Sequence, residues 1–244
     1  MDVSVAAEST AVRAILEAFQ PGELGGEAIV NLLDGTALPS AKMPYTTYFE
    51  NFTAHRDSRE VDLRRGSGTT YMWMTDPVLF PFGSGLEFSR FEYTWSDAPR
   101  VVQLPSTPAA MAAWEVQHTV MVTNAGPRPS PVVVLAFVCA TTTSPPNTPQ
   151  RKLFGFERLP NINPGENTTV HFDLDAESLG VMNTQDGAKW LRAGRFRIEI
   201  GSVETPAVAE LELQAPDGSG QQLMVESNAW VQQLLAQSTA SKKP

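Results

Sequence analysis

Chemistry in this chain would have to come from a few side chains. Glu23, Glu27 and Asp34 fall close together and invite an acid/base assignment. Acids at a helix start, however, already have a role in favouring its positive end. His118 is one of three histidines, and neither His55 nor His171 stands at ligand spacing from it, so no metal site is expected. Its neighbours in a period of two, Trp114, Val116, Val120 and Val122, predict a hydrogen-bonded core histidine. Cys139, the single cysteine, ends the apolar run 132–139 with no electropositive neighbour, which predicts a buried thiol rather than a nucleophile. Tyr71, Trp73, Phe80 and Phe82 offer aromatic faces, and Tyr71, Trp73 and Phe82 are candidates for sugar stacking or for an interdomain contact. Gly83-Ser84-Gly85 lacks the third glycine and the helix of a dinucleotide fingerprint and reads as a turn. Asn51-Phe52-Thr53 and Asn167-Thr168-Thr169 fit the glycosylation acceptor pattern, whose use requires a secretory route.

The elements that position these residues read mainly as strands. Nineteen prolines and seventeen glycines spread over 244 residues favour short strands joined by turns. Strands are expected over 69–75, 86–95, 114–123, 132–141, 152–159, 168–174, 195–200 and 208–213, a spacing that suits a β-sandwich. In 168–174 and 195–200 apolar residues alternate with His171, Asp173, Arg195, Arg197 and Glu199, the pattern of a sheet wetted on one face. The run 132–139 is apolar in both registers and belongs mid-sheet, covered on both sides. Asn124-Ala125-Gly126 and Pro164-Gly165-Glu166-Asn167 are turns, the first tolerating positive φ.

Ahead of the strands, Val12, Ile15, Leu16 and Phe19 form a helical stripe over 10–19 that Ser9 or Thr10 can cap. A second helix is expected over 27–33, and one further strand over 43–49. A helix over 227–237 and a disordered tail over 238–244 close the chain. The boundaries that follow are an α/β segment over 1–50, a connector over 51–85, a β-sandwich over 86–215 and a terminal helix and tail over 216–244.

Twenty-seven acidic against eighteen basic residues give a net charge of −9, which opposes nucleic-acid binding. The amino terminus lacks the basic start of a secretory signal, and the longest apolar run, 131–140, falls short of the ~18 residues of a membrane span.

Three runs in order resemble the C-terminal part of glycoside hydrolase family 3. Pro21-Gly22-Glu23-Leu24-Gly25-Gly26, with Leu33-Asp34-Gly35 and Met43-Pro44-Tyr45-Thr46, is similar to the last motifs of the family's α/β sandwich. Gly68-Thr69-Thr70-Tyr71 through Phe80-Pro81-Phe82-Gly83-Ser84-Gly85-Leu86 resembles the following passage, most in its β-xylosidase branch. Thr70, Met72 and Ser84 depart from that pattern. Asn124-Ala125-Gly126, Phe154-Gly155-Phe156-Glu157-Arg158 and Pro164-Gly165-Glu166 are similar to its fibronectin type III-like domain.

The resemblance, over about residues 11–213, implies a fibronectin type III-like β-sandwich preceded by a partial α/β segment. It implies an extracellular parent enzyme, β-xylosidase or β-glucosidase, that degrades xylan-type glycans by retaining hydrolysis. That chemistry uses two carboxylates about 5–5.5 Å apart, and in the family both lie upstream of the matched region. No catalytic residue, cofactor or metal is therefore assigned to this chain, and glycan is a substrate only of a complete enzyme. Without the sheet they normally cover, the amino-terminal helices would expose apolar stripes, and are expected to dock on the sandwich, pair with a second copy or join a catalytic partner chain. The alternative is a free-standing, non-catalytic binding or scaffolding module.

Overall fold

The computed structural model describes residues 3–57, 59–98, 101–107, 110–111, 113–145, 147–182, 189–216 and 222–225. The helix and tail expected beyond residue 226 lie outside them.

Alternation and turn placement build the two sheets of a sandwich. One holds β1 (Phe91–Asp97), β3 (Glu115–Asn124) and β6 (Asn167–Asp175) in the order β1-β3-β6. The other holds β2 (Val101–Gln103), β4 (Ser130–Ala140), β5 (Arg151–Ile162), β9 (Gly194–Gly201) and β10 (Ala207–Gln214) in the order β2-β10-β9-β4-β5. Val120 and Val122 of β3, with Phe172 and Leu174 of β6, face Val132, Val134 and Ala136 of β4 and Phe196, Ile198 and Ile200 of β9. This is the fibronectin type III-like architecture expected. A third, small sheet joins β7 (Val181–Met182), β8 (Lys189–Arg192) and β11 (Gln222–Val225), none of which the sequence pattern announces.

β4 lies between β9 and β5, and both its faces are covered. Its inner residues enter the main core, while Leu135, Phe137 and Cys139 form a second cluster on the outer face. The Phe154-Gly155-Phe156 motif has a steric reason. A side-chain carbon at Gly155 would stand 2.7 Å from the Phe172 ring, and the β4–β5 register slips beside it, between Ala136 and Phe137.

The amino-terminal expectations fare unevenly. α2 (Gly25–Leu33) forms where a helix is expected, starting two residues earlier. The stripe over 10–19 is not helical; the helix there is α1 (Ser4–Glu8), and Ser9 closes it rather than capping a later one. Val12, Ile15, Leu16 and Phe19 stay 38–57% exposed, so no face exists to reward the period. The segment 43–49 makes only a single bridge, Thr47 to Phe80. Residues 69–75 do not extend either. Gly68 and Thr70 take positive φ, and α4 (Thr70–Trp73) turns Tyr71 onto the sandwich. The strand expected from residue 86 begins only at Phe91, because Ser89 is bound through its hydroxyl to Asn124 and to the Arg128 carbonyl.

Candidate functional site

Two places merit chemical inspection: the outer face of β4, where the candidate aromatic residues converge, and a groove in the connector.

On β4, Tyr71 and Phe82 stack with centroids 4.1 Å apart and planes 17° from parallel, and each meets Phe137 edge-on at 6.1 Å. Tyr71 Oη also accepts the Leu153 N–H at 3.4 Å. Gly83 makes this possible: its φ is +83°, and a side-chain carbon there would lie 2.7 Å from both Leu135 and Val203. Trp73 is half-buried in α4, and its carbonyl accepts from Gln150 Nε2 at 3.0 Å. Beside the ring cluster, the Arg151 guanidinium lies 4.2 Å from the Phe137 centroid and pairs with Glu199. Arg197 holds the other Glu199 oxygen at 2.8 Å.

The buried Glu199 and the half-buried Glu87 and Glu60 are therefore occupied. Glu199 has two guanidinium partners, while Glu87 pairs with Lys42 at 2.5 Å and Glu60 with Arg65 at 2.5 Å. Glu23 and Glu27 are exposed, Glu27 in the first turn of α2. Asp34, expected to act at a helix start, instead follows the end of α2 and accepts the Thr36 N–H at 2.8 Å, which holds its carboxyl below the usual range. These three do not form an acid/base pair in a cavity. Among the described residues, no group of three or more His, Cys, Asp and Glu side chains is placed to hold a metal ion.

His118 is fully buried, between Trp95 (5.8 Å) and Phe154 (6.0 Å). The expected hydrogen bond is absent: neither ring nitrogen has a partner among the described residues. Strand pairing on both sides uses the neighbouring backbone groups, and the residues around the ring are apolar. Burial lowers its pKa to about 4. Cys139 is buried as expected, and desolvation pushes its thiol up to about 12. Asn124 needs no positive φ for its turn. It is fully buried and serves as a hub, its amide donating to the Arg128 and Ile162 carbonyls at 2.7 Å each. The sequon residues Asn51 and Asn167 are both exposed.

The groove encloses about 660 Å³ between α3 (Phe52–His55) and residues 65–77. Tyr48 and Phe52 stack on its wall at 3.9 Å and 9°. Of the candidate residues only Asn51 lines it; Tyr71, Trp73 and Phe82 do not. Sequence reading missed it, although an aromatic at 48, another four residues later at 52 and His55 three further on would share one side of a short helical turn.

The glycosyl hydrolase family 3 C-terminal domain matches residues 1–88, and the fibronectin type III-like domain matches residues 132–203. The chain belongs to glycoside hydrolase family 3, as its C-terminal region. It is similar to a probable exo-1,4-β-xylosidase of Aspergillus fumigatus, 32% identical over 201 residues, which are 78% of this chain and 26% of that protein. Among solved structures it resembles a family 3 exo-β-xylosidase in complex with a xylobiose aziridine probe, with a TM-score of 0.75 and 26% identity over 85% of this chain and 28% of that one. A β-glucosidase of Listeria innocua in complex with laminaribiose gives a TM-score of 0.64 and 25% identity over 87% of this chain and 29% of that one. The family 3 chain thus spans about a quarter of the length of the curated relatives it matches. Its Phe-Pro-Phe-Gly motif is the passage that folds Phe82 onto β4 and pins Lys42 to Glu87 just beyond.

Proposed function

We propose that this chain is the non-catalytic C-terminal support of a secreted retaining β-xylosidase or β-glucosidase acting on plant-type glycans. The two carboxylates of the reaction come from a catalytic portion outside these residues, and the chain supplies the surface on which that portion rests. The observation that carries this reading is where the apolar exposure falls. Val12, Ile15, Leu16, Phe19, Leu24, Val30, Leu33 and Tyr45 are all 38–77% exposed, and all belong to the segment similar to the family's α/β domain. An apolar run of this extent favours a covering partner. Family membership makes the remainder of the α/β domain, with its barrel, the partner of matching chemistry. If the protein is exported, the exposed acceptor at Asn167 is open to glycosylation, and a mass loss on endoglycosidase treatment of the native protein checks it.

The test is a chimera in which this chain replaces the corresponding C-terminal region of the Aspergillus fumigatus relative. We expect the chimera to hydrolyse an aryl β-xyloside and this chain alone to show no turnover. A folded chimera without activity, or turnover by the isolated chain, overturns the reading.

A further inference from the structure

We infer that the groove between α3 and residues 65–77 is a binding site for a neutral oligosaccharide. Its volume of about 660 Å³ is within the ~300–1,000 Å³ typical of small-molecule sites. The stacked pair Tyr48–Phe52 and the 37% exposed Phe49 supply ring surface for the apolar face of a sugar. Asn51, His55 and Asp76 supply an amide, an imidazole and a carboxylate for hydroxyl groups. These three are exposed and make no side-chain hydrogen bond or ion pair with any described residue, so their capacity is free for a ligand.

The basic residues of the groove are committed elsewhere, which argues against an anion. Arg56 donates to the carbonyls of Arg65 at 3.0 Å, Asp62 at 2.8 Å and Glu60 at 3.4 Å, while Arg65 pairs with Glu60. That web also ties residues 60–65 to Arg56. On the facing wall Tyr48 Oη accepts the Thr70 N–H at 2.7 Å, where Thr70 holds a φ of +61° that a β-branched residue rarely takes. The walls are therefore preformed, which lowers the ordering cost of a ligand. With one imidazole and one carboxylate, the lining is also short of a metal ligand set.

The choice of a saccharide rests on the family reading above, but its test does not depend on catalysis. Isothermal titration of this chain with xylotriose and cellotriose is expected to give one site with a dissociation constant on the order of 1 mM for at least one of them. Asp76→Ala and Phe49→Ala, both at exposed positions, are expected to weaken it by ~5-fold or more at unchanged melting temperature. No saccharide heat up to ~20 mM, affinity unchanged in both variants, or binding of inorganic phosphate in place of the sugars overturns the assignment. An inactive chimera with intact saccharide binding would sink the support role alone, and an active chimera without binding would sink the groove alone.

Discussion

Tyr71 and Phe82, eleven residues apart on either side of an irregular loop, lie ring on ring at 4.1 Å over Phe137 of β4. Buried ring area fastens the connector to the sandwich here, and the Tyr71 hydroxyl adds little, since its bond from the Leu153 N–H is long at 3.4 Å. Beside the rings Gln150 donates through its N–H to the Met72 carbonyl at 2.9 Å and through Nε2 to the Trp73 carbonyl at 3.0 Å. Removing the ring should cost far more than removing the hydroxyl. Phe82→Ala is expected to lower stability by ~2–3 kcal/mol and Tyr71→Phe by less than ~1 kcal/mol, read from urea unfolding midpoints. Equal losses would contradict the packing account.

Gly83 and Gly165 separate backbone strain from steric conflict. Both take positive φ, +83° and +79°. A side-chain carbon at Gly165 meets nothing within 4 Å, whereas at Gly83 it meets Leu135 and Val203 at 2.7 Å. Gly165→Ala should therefore cost ~1 kcal/mol, the strain alone, and Gly83→Ala ~3 kcal/mol, since the second cluster must also give way. Matched unfolding curves for the two variants check the difference.

What was legible in the sequence divides along the same line. β3, β6 and β9 could be read because each alternates against a packed core, as Val170, Phe172 and Leu174 do, and β4 because its run is apolar in both registers and is covered on both faces. Tyr71 and Trp73 alternate over too few residues for a period of two to be told from one turn of helix, and the positive φ at Thr70 has no sequence signal in a β-branched residue. The stripe from Val12 to Phe19 has helical spacing but no covering face, so the period found no energy to convert. β7, β8 and β11 are too short to carry a pattern. The groove stayed hidden because it joins residues 48–56 to residues 65–77 through Arg56, whose three carbonyl partners are set by loop shape.

His118 makes stability depend on pH. Its pKa is about 4 in the folded chain against 6.5 for the free side chain, so between these values the unfolded chain binds more protons. The contribution is fully present above pH 6.5 and is lost as pH falls toward 4, with a total of ~3 kcal/mol. Weak attraction from Asp173 and Asp97 opposes the shift without cancelling it. Relative to the parent, His118→Leu should gain stability as pH drops from 7 to 4, measured by denaturant unfolding across that range. A pH-independent difference would mean that the imidazole titrates normally.

Cys139 should be silent in the native state. With its thiol raised to about 12 by burial and by Glu199, the thiolate is a negligible fraction near neutral pH. Ellman's reagent is expected to count no thiol in the native protein and one per chain in guanidinium chloride. Fast native labelling would show that the second cluster opens readily.

Asn124 joins the turn after β3 to the start of β1 and the end of β5. Its Oδ1 accepts from Ser89 Oγ at 2.6 Å and from the Gly126 N–H at 2.9 Å, while its Nδ2 donates to Arg128 and Ile162. Asn124→Asp keeps the shape and both accepted bonds but turns an oxygen toward two carbonyl oxygens in a fully buried position. The loss should reach ~3–5 kcal/mol at pH 7. Because burial and those carbonyls raise the folded pKa of the new acid above its unfolded value, the variant is relatively most stable below the unfolded value and loses ground as pH rises. The gap between Asn124→Asp and the parent should therefore narrow at pH 3, where the protonated acid restores one donor, and the gap for Asn124→Leu should not. Parallel unfolding series at the two pH values decide whether the hub acts through its amide hydrogens or through its volume.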